Sequence, residues 1–275
     1  MRRLLTTIFA MLAVICAGAQ ADSLRYARID SLLREYCVSM ERFTTEDKNS
    51  ECDFLVGSCR DSLTRQHTAT YLYDHYINSR LMGEEAVAIH IYDNWFANGK
   101  VKMANDLDQF NAGIYADFNR NSLIGMDAPV ITLEDPEGNK VTLPSKGRTS
   151  LLYFYETDCS KCKATSIMLP YALDEAKFGI DAYIIYTGSN AEAWKSFRDK
   201  FSCSNPLVRI THLWDPDMDS DHIRLYAVMS TPQMFMIEPQ GSIIGRKLEV
   251  ESVLQLLPVA QEIQMLYDRF NKNDR

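Results

Sequence analysis

Glycine and proline are scarce: the chain of 275 residues has only 12 and nine of them, and residues 22–121 contain almost none, which leaves that region free to form long helices. Long apolar runs are lacking too. The only candidate runs from Leu4 to about Ala17, after Met1-Arg2-Arg3 and before Ala19-Gln20-Ala21. Roughly 13 apolar residues fall short of the roughly 20 that a spanning helix needs. With its basic start and small-x-small ending, this stretch reads as a secretory signal peptide over 1–21. A lipoprotein cut before Cys16 would place Ile15 where a small residue is usual. Basic runs are absent as well. With 29 basic against 37 acidic side chains the net charge is −8, and loss of Arg2 and Arg3 would make it −8 − 2 = −10. That excludes the electrostatic footprint of a nucleic-acid or anionic-membrane binder. His67, His75 and His90 lack companions at ligand spacing, so no metal is expected.

What remains is informative. Of seven cysteines, six would survive cleavage: Cys37, Cys52, Cys59, Cys159, Cys162 and Cys203. An oxidising compartment permits disulfides, and Cys52 could reach Cys59 across a short loop, although these four can equally be buried thiols. Only Cys159 and Cys162 have a diagnostic spacing.

Apolar residues at helical spacing fill residues 22–121. Leu24, Ile29, Leu32, Leu33 and Tyr36 form one stripe, and Leu63, Tyr71, Leu72 and Tyr76 a second. Ala86, Ile89, His90 and Trp95 form a third, and Met103, Leu107, Phe110, Ile114 and Phe118 a fourth. This predicts an all-α domain of four or five helices over 22–122. The pattern changes at Gly125-Met126-Asp127-Ala128-Pro129. Beyond it, apolar runs at 130–133, 140–143, 150–155, 181–187, 207–213 and 233–237 alternate with turns and with helical stretches at 160–178, 191–201, 218–227 and 250–271. Asp135-Pro136-Glu137-Gly138-Asn139 closes a first hairpin and Pro239-Gln240-Gly241 a second, which 242–247 completes. Buried runs alternating with helices make an α/β domain over 123–275, with a central mixed sheet flanked by helices.

Cys159-Ser160-Lys161-Cys162 follows the first buried strand and opens a helix. The positive end of a helix favours an anion, so Cys159 is the thiol expected to ionise. Two intervening residues let Cys162 reach it and resolve a mixed disulfide. The neighbouring charges Glu156, Asp158, Lys161 and Lys163 oppose one another. A zinc ribbon would need a second such pair, which is missing. Glu156 is the nearest candidate for proton transfer.

The order Ala128-Pro129, Asp135 to Gly138 with Val141 and Leu143, the cysteine pair, Trp214-Asp215-Pro216, Tyr226, Thr231-Pro232 and Glu238-Pro239-Gln240-Gly241 resembles the TlpA-like and ResA-like thioredoxin-fold oxidoreductases. The resemblance covers about residues 123–257. It implies a thioredoxin-like domain, a cis peptide before Pro232 beside the cysteines, and a Thr231 backbone that pairs with substrate. The departures are informative. Asp158 replaces the tryptophan of thioredoxins before the first cysteine, Ser160-Lys161 replaces their Gly-Pro, and Tyr153 stands where they keep a buried carboxylate. The helical region, with Trp95-Phe96-Ala97-Asn98-Gly99 and Phe110-Asn111, looks similar to helical domains placed before thioredoxin domains in exported Bacteroidetes proteins.

The expected function is exported thiol-disulfide oxidoreductase, located in the periplasm or cell envelope. It exchanges disulfides with protein thiols there and with an unidentified redox partner, without a metal or organic cofactor. Two rivals stand beside it. A peroxiredoxin-like peroxidase would need a Thr or Ser where Glu156 stands. A non-catalytic envelope-assembly protein would keep Cys159 and Cys162 as a structural staple.

Overall fold

A computed structural model describes residues 22–273, with side chains for 26–271. The signal-peptide reading of 1–21 lies outside the described residues. The chain divides into two compact units between Ala116 and Asp117, a few residues before the change of sequence pattern at 122/123.

The first unit is helical: α1 (Asp22–Met40), α2 (Thr45–Gly57), α3 (Ser62–Ile77), α4 (Glu85–Ile91) with a π-helical continuation (Tyr92–Ala97), and the start of α5 (Asp106–Asn119). Caps explain where these helices begin. Thr44 accepts from the Asp47 amide ahead of α2, and Asp61 accepts from the Thr64 amide ahead of α3. Ile29, Leu33, Tyr36, Cys37, Leu55, Val56, Leu72, Tyr76, Val87 and Ile91 share one buried cluster. At the core edge the Lys48 ammonium meets Glu84 Oε1 at 2.7 Å, joining α2 to the start of α4.

Three details of the helical stripes differ from the sequence reading. Leu63, Leu107 and Phe110 are exposed. In α3 the buried face begins instead with Thr64 and Thr68, because the Thr64 hydroxyl is satisfied by Asp61 at 2.8 Å. In α5 the side buried is that of Ala112 and Ala116, while Met103 precedes the helix. Cys52 and Cys59 are both free thiols. Cys52 is buried within α2, whereas Cys59 lies beyond the end of that helix with its thiol donating to the Leu55 carbonyl at 3.4 Å.

The second unit is a thioredoxin-like fold built on a seven-stranded mixed sheet. Its strands are β1 (Ile131–Glu134), β2 (Lys140–Leu143), β3 (Thr149–Tyr155), β4 (Ile180–Tyr186), β5 (Val208–Trp214), β6 (Gln233–Ile237) and β7 (Ile243–Gly245), in the order β2-β1-β5-β4-β3-β6-β7. Strands β3, β4 and β5 run parallel, whereas β1 and β6 are antiparallel to their inner neighbours. The helices are α6 (Ser160–Asp174), α7 (Ala191–Arg198), α8 (His222–Tyr226) and α9 (Val250–Asn273). The predicted helix over 218–227 shrinks to α8, because Met218 and Asp221 adopt positive φ in the preceding loop.

β3 is buried along its whole length, as a run apolar on both faces requires. Leu151, Tyr153 and Tyr155 join the core that contains residues of α6, α7 and α9. Leu152 and Phe154 join the opposite core with Tyr226 and Phe235. Asn119 Oδ1 accepts from the buried Arg246 guanidinium at 2.7 Å, anchoring the entry of this unit to its own last strand. No helix among the described residues is long and apolar enough to cross a membrane.

Candidate active site

The strand–helix junction after β3 positions the cysteine pair. Cys159 has extended backbone angles and caps α6, its sulfur accepting from the Cys162 amide at 3.2 Å. A sulfur at that position faces amides without intrahelical partners, which favour an anion. Both thiols are free, Cys159 half-buried and Cys162 only 1% exposed.

Their acidities diverge for identifiable reasons. Burial alone would raise the Cys159 thiol, but the Cys162 thiol, the Cys162 and Lys161 amides and Thr231 donate or share hydrogen bonds that together bring it below the ordinary thiol value. Burial, and then the hydrogen bond to Cys159, pushes Cys162 up to about 11. A thiolate is therefore favoured at the reachable sulfur and disfavoured at the shielded one.

Thr231 and Pro232 lie next to this pair. The Cys159 thiol donates to the Thr231 carbonyl oxygen at 3.3 Å, and the Thr231–Pro232 peptide is cis. Glu156 is exposed, and with Cys162, Lys163, Phe197 and Lys200 it lines a cavity of about 280 Å³. The Glu156 backbone amide also favours the Cys162 thiolate. The fold thus brings Cys159, Cys162 and Thr231 into direct contact, and sets Glu156 and Cys162 on one cavity.

Beneath the pair, Tyr153 donates to the Cys162 carbonyl at 3.0 Å and stacks on Tyr155 with ring centroids 5.3 Å apart. Burial raises the Tyr153 hydroxyl far above its ordinary range, so it stays a neutral donor. The position that resembles the thioredoxin carboxylate therefore carries a packing and hydrogen-bonding group. Sequence reasoning noted the substitution but missed the bond to Cys162, which spans only nine residues.

Two further groups escaped sequence reading. Asp215, part of a motif noted only as family-like, is buried with His222 beside the half-buried Ser220; its Oδ2 lies 2.8 Å from His222 Nδ1 and accepts from the Ser220 hydroxyl at 2.5 Å. Trp194 on α7 stacks on Trp214, 20 residues later at the end of β5. Among the described residues no group of three or more His, Cys, Asp or Glu side chains could hold a metal ion.

Residues 124–246 match the family model of the AhpC/TSA family. That match falls within the second unit and covers less than half of the chain. A thiol-disulfide oxidoreductase of Bacillus subtilis, ResA, is 28% identical over 125 residues, which cover 44% of this chain and 64% of that protein. The chain thus matches less than two thirds of that curated relative. A thioredoxin-like protein from Bacteroides caccae superposes with a TM-score of 0.64 at 13% identity, covering 85% of this chain and 84% of that one. The fold likeness therefore extends well beyond the cysteine-bearing unit. The thioredoxin domain of a Bacteroides vulgatus thiol-disulfide oxidoreductase is 24% identical, with a TM-score of 0.44, and covers 51% of this chain and 97% of that domain.

Proposed function

We propose that the chain is an exported thiol-disulfide oxidoreductase of the periplasm or cell envelope, with a signal peptide at 1–21, a helical domain at 22–122 and a redox domain at 123–275. Its substrates are protein thiols and disulfides. The name of the Bacillus subtilis relative supports the activity. The carrying observation is the asymmetric dithiol: a reachable Cys159 with lowered pKa at a helix start, over a shielded Cys162 with raised pKa.

In the reducing direction the Cys159 thiolate attacks one sulfur of a substrate disulfide. A Cys159–substrate bond forms, the substrate S–S bond breaks, and the departing sulfur takes up a proton. Cys162 then loses its proton and attacks Cys159 Sγ, which releases the second substrate thiolate and leaves a Cys159–Cys162 disulfide. Two electrons pass to the substrate; oxidation is the reverse. Glu156 is assigned the proton of Cys162 because both border one cavity. Thr231 and Pro232 are assigned the substrate backbone, since the Thr231 carbonyl already faces Cys159. The helical domain is assigned partner choice.

Replacing Cys162 by Ser removes the resolving thiol. The variant should accumulate mixed disulfides with envelope proteins that dithiothreitol releases, and a Cys159→Ser variant should accumulate none. Equal trapping by both variants would overturn the assignment. The potential separates a working pair from a structural staple, which would lie below about −300 mV.

A further inference from the structure

The β1–β2 hairpin and the loop after β5 enclose a cavity of about 550 Å³, away from the thiol pair but at the same end of the sheet. The parallel register sets Tyr155, Tyr186 and Trp214 in one row at the C-terminal ends of β3, β4 and β5. All three pack into the core that holds Cys162. Two strand spacings, roughly 10 Å, separate the row's ends.

The lining has a consistent chemistry. Trp194 and Trp214 form an aromatic wall, their rings stacked with centroids 4.8 Å apart. Glu134, Asp135, Asp217 and Asp219 stand around it, opposed by Lys140. Asp135 is occupied by the backbone and side chain of its own turn, whereas Glu134, Asp217 and Asp219 are exposed. The wall already attracts a cation: the Arg198 guanidinium lies 4.2 Å above the Trp194 ring. Trp194 is also 6% exposed, and its buried indole N–H has no hydrogen-bond partner among the described residues. Carboxylates over an aromatic wall suit an organic cation. No group of His, Cys, Asp or Glu among the described residues converges as metal ligands would.

We propose that this cavity binds a lysine- or arginine-bearing segment of the protein partner engaged at Cys159. This selects basic substrate segments and rests on the reading of Cys159 as the attacking thiol. A chain in extended conformation covers that separation in about three residues.

The test uses the full mature chain and synthetic peptide disulfides carrying arginine or glutamate about three residues from the cysteine, on either side. The arginine peptides should react roughly 3- to 10-fold faster at low salt. The ratio should fall toward one at 1 M salt and in a Glu134→Gln, Asp217→Asn, Asp219→Asn variant. A second readout needs no redox step: arginine peptides with serine in place of cysteine should perturb tryptophan fluorescence in the wild type more than in the variant. Equal rates for the two peptide classes, with no fluorescence response, would overturn the inference. A response to calcium ions instead of to peptide would overturn it in favour of a metal site. If no peptide disulfide reacts at all, the redox reading fails, and the fluorescence readout decides the cavity by itself.

Discussion

At Cys159 the Cys162 thiol, the helix amides and the Thr231 side chain act on an accessible sulfur, while burial acts on Cys162. Iodoacetamide at pH 6 should therefore modify Cys159 first and leave Cys162 intact, as read by peptide mass mapping of the reduced protein. Equal or reversed labelling would remove the assigned roles. A second residue governs acid stability. Burial, and then the Arg198 cation, lowers His212 from 6.5 to about 4. The unfolded chain then binds a proton that the folded chain refuses between those values, so this contribution is complete above pH 6.5 and is lost as pH falls toward 4. A shift of that size corresponds to at most about 3 kcal/mol. Urea unfolding of a His212→Phe variant should show a flatter stability profile across that window; an unchanged slope would assign the acid sensitivity elsewhere. The direction of the Cys159 shift was legible from its place after a buried strand. The His212 shift was not, because it arises from Phe197, Phe201 and Arg198, brought around it by the fold.

Among the elements, the π-helical turn at Tyr92–Ala97 has no separate signature in the sequence, where Trp95 simply continues a helical stripe. Its register is held by Asp53 on α2, which lies 3.0 Å from His90 Nε2 and accepts from Asn94 at 3.2 Å and from Trp95 Nε1 at 2.7 Å. The Asp53→Ala variant should lose about 1–3 kcal/mol of stability, since three donors lose their acceptor at a partly exposed site. A midpoint shift in urea with the slope retained checks this; an unchanged midpoint would mean that water replaces the carboxylate without cost. The central strands were more legible than this turn. Burial on both faces demands unbroken apolar runs, and β3, β4 and β6 carry them. The helix ends were less legible: the reading to residue 178 overran α6, which stops at Asp174, because Glu175 and Ala176 close the last turn with backbone bonds.

At the scale of the molecule, the second unit begins at Asp117 and retains Asn119, the partner of the buried Arg246. A fragment Asp117–Arg275 should therefore fold and keep reducing a small disulfide, while the set of trapped envelope partners changes. Loss of small-disulfide reduction in a well-folded fragment would place part of the active site in the helical unit. The sequence by itself determined the kind of each unit, since hydrophobic period and the scarcity of glycine and proline are local properties. It also singled out Cys159 and Cys162 as the candidate pair, since a four-residue spacing at a strand–helix junction carries its own electrostatics. Only the tertiary structure decided that Tyr153 donates to the Cys162 carbonyl, that Cys52 and Cys59 stay free thiols, and that Trp194 meets Trp214. Burial, and contacts between residues distant in the chain, exist only once the strands have paired and the helices have packed against them.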